Sequence, residues 1–240
     1  MRIFFREAGV DYRRYAFPYQ VLAEVSPGED LAAVYASGFL PASHDPAERR
    51  LLFYLARSPR LDLSRLVLAK KRRYLQRRGA EAGLRLSLET KVAFLDRARA
   101  NWRETVLAWV EARAQPSFLS PARLAFLLDR PFLREVGVVR AGDQWVGLVL
   151  LPAGPGWAHY WFAFYDPAWQ PERSLGKWIL GETARQLADG GAQHLYVGTC
   201  YGARAHYKFQ GFEDGAEFFD GEQWSADRAA LTQRLAGDLS

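Results

Sequence analysis

The chain has 240 residues, 49% apolar and 25% charged, with a formal net charge of +5; this balance fits a folded globular protein and excludes a disordered or fibrous one. One cysteine, Cys200, excludes an intrachain disulfide, a cysteine zinc site and an iron–sulfur cluster held by a single chain, and it fits a reducing compartment. The opening Met1–Glu7 is broken by charge and no apolar run approaches the roughly 20 residues of a membrane span, so a cytosolic protein without leader or anchor is expected.

In chain order, Phe17 to Leu22 reads as a strand, broken by Pro27-Gly28. Glu29 to Ala36 reads as a short helix closed by Gly38, and Leu51 to Ala56 as a strand. A basic helix is expected over 69–82, ending near Gly83, and Leu84 to Leu88 alternates like a strand. Residues 90–114 predict one long amphipathic helix whose core face holds Leu95, Ala98, Trp102, Val106, Trp109 and Val110, ended by Pro116. Ser120-Pro121 is an N-cap followed by proline at the first helical position, opening a helix to Asp129.

The pattern then changes. Phe132–Arg140, Gln144–Leu151 and Trp157–Tyr165 predict three strands of an antiparallel meander joined by short turns. A polar connection over 166–173, a helix over 174–189, a strand over 193–200, a short helical piece over 202–209, an extended segment over 217–224 and a terminal helix over 226–238 complete the chain. The first part, residues 1–88, is expected as a smaller basic α+β unit, and 89–240 as the catalytic unit.

Charge is uneven. Residues 57–78 hold nine Arg or Lys and one acid, Asp62, which leaves the remainder of the chain net acidic. One basic stretch on an otherwise acidic protein points to a polyanion such as RNA, against the alternative of a plain solvated helix face. His44, His159, His194 and His206 are scattered without metal-ligand spacing, and no metal is expected.

The element order from residue 132 onward resembles the acetyltransferase-like (GNAT) fold, which implies an α+β architecture with a mixed sheet flanked by helices. In that fold the helix after the meander offers its N-terminus to an anion. Residues 164–224 carry more specific motifs: Phe164-Tyr165-Asp166-Pro167, then Arg173-Ser174-Leu175-Gly176-Lys177-Trp178, Tyr196-Val197-Gly198, Tyr207-Lys208-Phe209 and the aromatic–acidic run Glu217 to Trp224. In order and spacing they resemble the arginyl- and leucyl-tRNA–protein transferases. Gly38-Phe39-Leu40-Pro41, Arg60 to Leu66 and Lys71-Arg72-Arg73-Tyr74 resemble the same family more weakly. There are two departures. The family's cysteine cluster is absent, with Phe53 to Ser58 in its place, and Thr199 to His206 replaces a proline-containing segment expected at the acceptor site.

The resemblance implies transfer of an amino acid from the terminal ribose of a charged tRNA to a protein N-terminal amine. The ester is already activated, so no covalent enzyme intermediate is needed, and no nucleophile-elbow or Ser–His–Asp arrangement is present. The work left is positioning, taking a proton from an amine and returning one to the ribose oxygen. Tyr207 or Tyr201 is the expected proton donor. Lys208 would stabilise the oxyanion or, with Arg204, meet an acidic acceptor. Asp166 would orient the amine or cap the turn at Pro167. Arg173, Ser174, Leu175, Gly176 and Lys177 would bind the donor, and Arg72, Arg73, Arg77 and Arg78 the tRNA backbone. Charged tRNA and a protein N-terminus are the expected partners, with no cofactor. Two alternatives stand: an N-acetyltransferase using acetyl-coenzyme A, which Trp178 at a position usually small would crowd, and a non-catalytic RNA- or protein-binding descendant.

Overall fold

The structure is a computed structural model, described over residues 1–7, 18–113, 119–169, 174–212 and 214–238. The first elements are β1 (Arg2–Glu7), β2 (Tyr19–Glu24), α1 (Leu31–Ala36), β3 (Phe39–Pro41), β4 (Leu52–Leu55) and β5 (Pro59–Asp62). Then come α2 (Lys70–Glu81), β6 (Leu84–Thr90), α3 (Lys91–Arg97), α4 (Trp102–Glu111) and α5 (Pro121–Leu128). They are followed by β7 (Leu133–Ala141), β8 (Gln144–Gly154), β9 (Trp157–His159), β10 (Phe162–Tyr165) and α6 (Leu175–Asp189). Last are β11 (His194–Tyr196), a 3-10 turn over Ala203–Lys208, β12 (Ala216–Phe219), β13 (Trp224–Ser225) and α7 (Arg228–Gly237).

Several elements form where local chemistry asks for them. Asp30 accepts from Ala32 N at 2.9 Å to start α1, and Ser120 accepts from Arg123 N at 3.1 Å with Pro121 as the first residue of α5. The helix expected over 90–114 is two helices, α3 and α4, because Ala98 turns extended (ψ 138) after α3. The bend lets Phe94 and Trp102 meet edge-on at 5.2 Å in one core cluster, which a straight helix of this length would carry apart. Pro116 lies outside the described residues.

A large sheet runs β13-β12-β5-β11-β9-β8-β7-β6, with β10 also paired to β8; a four-stranded sheet runs β1-β2-β4-β3. The division expected at residue 88 falls within β6. Moreover β5 lies inside the large sheet, and the small sheet's Ala23, Phe39 and Phe53 share one apolar cluster with Trp157 and Tyr196 of the large one.

The strand expected over 157–165 is split. Tyr160 N bonds to Tyr196 O at 2.8 Å, whereas Trp161 N bonds to Leu150 O at 3.1 Å, so the chain changes partner between adjacent residues. Before the change β9 runs parallel to β11; after it β10 follows β8 alone. The strand expected over 193–200 is regular only over His194–Tyr196; beyond it Val197 N still bonds to Pro59 O at 2.9 Å and Cys200 N to Arg57 O at 2.7 Å, on the side away from β9. Where β10 and β11 part, the sheet opens.

Candidate active site

The opening between β10 and β11 is a cleft of about 960 Å³. Residues 159–165 form one wall, Val197 to Thr199 with Tyr207 and Lys208 another, and the start of α6 a third, through Ser174, Gly176 and Lys177. Arg113, just past the end of α4, and Arg123 on α5 reach it from the helical layer. Four cations line it, and among the described residues no Asp or Glu does.

The expected donor segment is thus partly at the cleft. Ser174 holds φ 45°, a left-handed conformation rare for a non-glycine residue, and its carbonyl accepts from Lys177 N and Trp178 N at 2.9 and 3.0 Å. Leu175 is fully buried in the core, so it anchors the helix and does not bind donor. Gly176 is small for a local reason. A Cβ there would sit 2.6 Å from the Tyr165 hydroxyl, so its hydrogen admits the Tyr165 side chain over the helix start. Arg173 lies outside the described residues, as does the side chain of Arg204.

Lys208 is mostly buried and donates to Thr199 O at 2.6 Å. Burial pushes its pKa down to about 8. Tyr207 beside it keeps its ring partly exposed, while burial and then the neighbouring Tyr165 phenol raise its pKa. The other two expected catalytic residues sit elsewhere. The Tyr201 hydroxyl is outside the cleft, accepting from Arg57 N at 3.0 Å, and Asp166 caps the Pro167 turn by accepting from Ala168 N at 2.9 Å. His206 packs edge-on to Phe209 and is likewise not a lining residue.

The basic helix divides into two kinds of arginine. Arg72 was expected on RNA, but it is buried at 3% exposure beneath the cleft wall. It donates to Gln210 O at 2.9 Å, Lys177 O at 2.9 Å and Tyr207 O at 2.8 Å, and its guanidinium stacks 3.9 Å from the Phe212 ring centre. Burial lowers its pKa to about 10. One fixed fork thereby ties the first turn of α6 to the Tyr207–Lys208 turn, satisfying three carbonyls that nothing else along α2 reaches. Gly211 makes room, since a Cβ there would lie 2.7 Å from the Arg72 stem. Arg73, Arg77 and Arg78 are exposed, and the last two flank the exposed Tyr74 ring at 5.6 and 5.8 Å.

Trp178 does not crowd the cleft. It is 3% exposed and packs against Gly79 of α2, where a Cβ would come within 1.9 Å of its Nε1. Trp178 therefore leaves room for a pyrophosphate at the helix start, contrary to expectation.

His159, which sequence reading set aside, is at the cleft. It ends β9, is 1% exposed, and its one described side-chain hydrogen bond joins Nδ1 to the buried Tyr35 hydroxyl at 3.1 Å. Burial and then the Lys208 charge press its pKa down to about 3, so the ring is neutral. The run Trp157-Ala158-His159-Tyr160-Trp161 holds one polar side chain among aromatics, but only the strand split brings it to the opening. Cys200 is fully buried away from the lining, and among the described residues no cluster of His, Cys, Asp or Glu is arranged to hold a metal ion. No described helix is long and apolar enough to cross a membrane.

The model of the Acetyltransferase (GNAT) domain family matches residues 64–209. The chain belongs to this family. Its fold is the GNAT fold, a mixed α+β arrangement with a central mixed sheet flanked by helices, as the element order led us to expect, and the chain is a GNAT acyltransferase domain. Similar solved structures include the C-terminal DUF2156 domain of a protein described as a lysylphosphatidylglycerol synthetase from Agrobacterium fabrum, at 14% identity and TM-score 0.49 over 75% of this chain and 63% of that one. Another is L-PGS from Bacillus licheniformis, at 11% identity and TM-score 0.49 over 77% and 66%. A third is a GCN5-related N-acetyltransferase from Kribbella flavida, at 17% identity and TM-score 0.35 over 79% and 61%. The GNAT domain thus spans less than two thirds of the length of each of these chains. No curated protein matches it.

Proposed function

We propose that the protein is an aminoacyl-tRNA–protein transferase, which moves an amino acid of the arginine or leucine type from tRNA to a protein N-terminal amine in the cytosol. One observation carries this reading. Motif residues scattered over 44 positions, Tyr165, Ser174, Gly176, Lys177, Gly198, Tyr207 and Lys208, line a single cleft.

The chemistry available there suits ester aminolysis. A terminal α-amine has a pKa of about 8, and Lys208 with its pKa near the same value is matched to accept the proton the amine sheds on attack. Tyr207 is placed on the same wall to return a proton to the ribose oxygen. The excess of cations favours acceptors whose first residue is acidic and helps hold the donor's terminal phosphate. Arg73, Arg77 and Arg78 around Tyr74 add a basic, aromatic surface on which an RNA backbone can lie.

A second reading is transfer from acetyl-coenzyme A. The family description and the packing of Trp178 against α2, away from the cleft, favour it, since Trp178 leaves the helix start open to a pyrophosphate. Incubating the protein with radiolabelled Arg-, Leu- and Lys-tRNA or with acetyl-coenzyme A, each with peptides of varied first residue, separates the two. Label appearing in peptide from charged tRNA alone supports the first reading; label from acetyl-coenzyme A alone supports the second. Tight tRNA binding with no transfer supports a non-catalytic descendant.

A further inference from the structure

We propose that His159 is a catalytic residue of this site: its Nε2–H donates a hydrogen bond to the carbonyl oxygen of the transferred acyl group as that oxygen becomes an oxyanion. This rests on the acyl transfer proposed above.

Tyr35 and His159 are both buried, and the Tyr35 hydroxyl lies 3.1 Å from Nδ1. Nε2 of His159 has no partner among the described residues. If Nδ1 carried the proton, it would donate to the phenol oxygen. The phenol O–H would then lack an acceptor and Nε2 would lack a donor, leaving two buried groups unpaired. If Nε2 carries the proton, Tyr35 donates to Nδ1 and only one group, Nε2–H, stays unpaired. Each unpaired buried group carries the full cost of its lost hydration, so the second tautomer is favoured. Sequence distance underlines the arrangement, because Tyr35 lies on α1, 124 residues before His159, and its ring packs among Phe53, Trp157 and Tyr196.

This N–H has almost no exposed surface of its own although His159 lines the cleft, so the acyl oxygen supplies the missing acceptor by displacing the side chains that cover it. The ring stays neutral because it is buried and because Lys208 is close enough for its charge to act on it. A neutral imidazole is a suitable electrophile for a carbonyl, since it strengthens its bond as negative charge develops and need not be desolvated during the reaction. In the step, the acceptor amine adds to the carbonyl carbon and the C=O π pair moves onto the oxygen facing Nε2–H. That pair returns as the C–O bond to the ribose breaks. The proton lost by the amine is matched by the one gained by the ribose oxygen, giving an amide and a free tRNA hydroxyl.

The test compares wild type with His159→Leu, His159→Gln and Tyr35→Phe in the peptide-transfer assay, alongside ¹⁵N NMR of the histidine ring in wild type and Tyr35→Phe. Expected are a wild-type ring protonated at Nε2, a roughly 10²–10³-fold fall in kcat with little change in KM for His159→Leu, partial rescue by the amide N–H of His159→Gln, and a smaller fall for Tyr35→Phe. Should His159→Leu fail to fold, Tyr35→Phe and His159→Gln carry the same comparison. A ring protonated at Nδ1, an unchanged kcat, or a loss seen only in KM overturns the assignment. A wild type that transfers nothing removes the acyl-transfer reading and this assignment with it; an active wild type with unaffected variants removes this assignment alone.

Discussion

Arg72 offers the sharpest contrast between a charge that binds RNA and one that builds the site. Replacing it with alanine removes three hydrogen bonds of 2.8–2.9 Å from a cationic donor and the stack on Phe212. Charged hydrogen bonds contribute about 1.5–3 kcal/mol each. Taking the low end, because water enters the space left by the side chain, the expected loss is about 4 kcal/mol. For a domain of this size that lowers Tm by roughly 8–16 °C. Arg73 has one bond, to Leu68 O, and is exposed, so Arg73→Ala is expected to change stability by less than about 0.5 kcal/mol. Urea unfolding of both variants, with tRNA binding measured across a salt series, gives the comparison. Arg72→Lys is informative too: one ammonium cannot span three carbonyls, so about half the loss is expected to remain. If Arg72→Ala unfolds within 1 kcal/mol of wild type and weakens tRNA binding as Arg73→Ala does, the clamp is wrong and Arg72 is a surface contact.

The other predictions concern titration and close packing. Because the folded pKa of His159 lies near 3, the unfolded chain binds the extra proton between about pH 6.5 and 3, so stability is full above that window and falls by about 1.4 kcal/mol per pH unit as pH drops through it; acid unfolding of His159→Leu should be flatter. The transfer rate should rise with pH through about 8 as Lys208 becomes neutral, and Lys208→Arg, whose guanidinium stays charged, should abolish that limb. Gly176→Ala places a Cβ 2.6 Å from the Tyr165 hydroxyl and should lower activity, with Tyr165→Phe restoring part of it. Charge reversal at Arg73, Arg77 and Arg78 together should flatten the salt dependence of tRNA binding and leave Tm nearly unchanged.

Much of the fold was legible because it is written in local patterns. The N-cap at Ser120, the turn at Ala141-Gly142-Asp143 and the apolar runs of β7 and β8 each depend on neighbours in sequence. Edge strand β1 was missed because its burial does not alternate; it is exposed almost throughout. The 90–114 helix was drawn too long because periodicity continues across the break at Ala98 while the backbone does not. At the site, motif spacing located Ser174, Gly176, Lys177, Tyr207 and Lys208, all of which line the cleft. It misplaced Arg72, because a buried guanidinium and a solvated one have the same letter in a basic run. His159 was out of reach for a related reason: its role depends on Tyr35 and on the partner change at Tyr160, both set by tertiary contacts.

The central claim is that this cleft transfers an aminoacyl group from tRNA to a peptide amine. The most direct measurement is mass spectrometry of an acidic-N-terminus peptide after incubation with purified protein and tRNA charged with arginine or leucine. The account predicts a peptide heavier by one amino-acid residue, lost when the tRNA is deacylated beforehand and much reduced in Lys208→Met. A peptide unchanged with every charged tRNA, but acetylated when acetyl-coenzyme A is supplied, would contradict it.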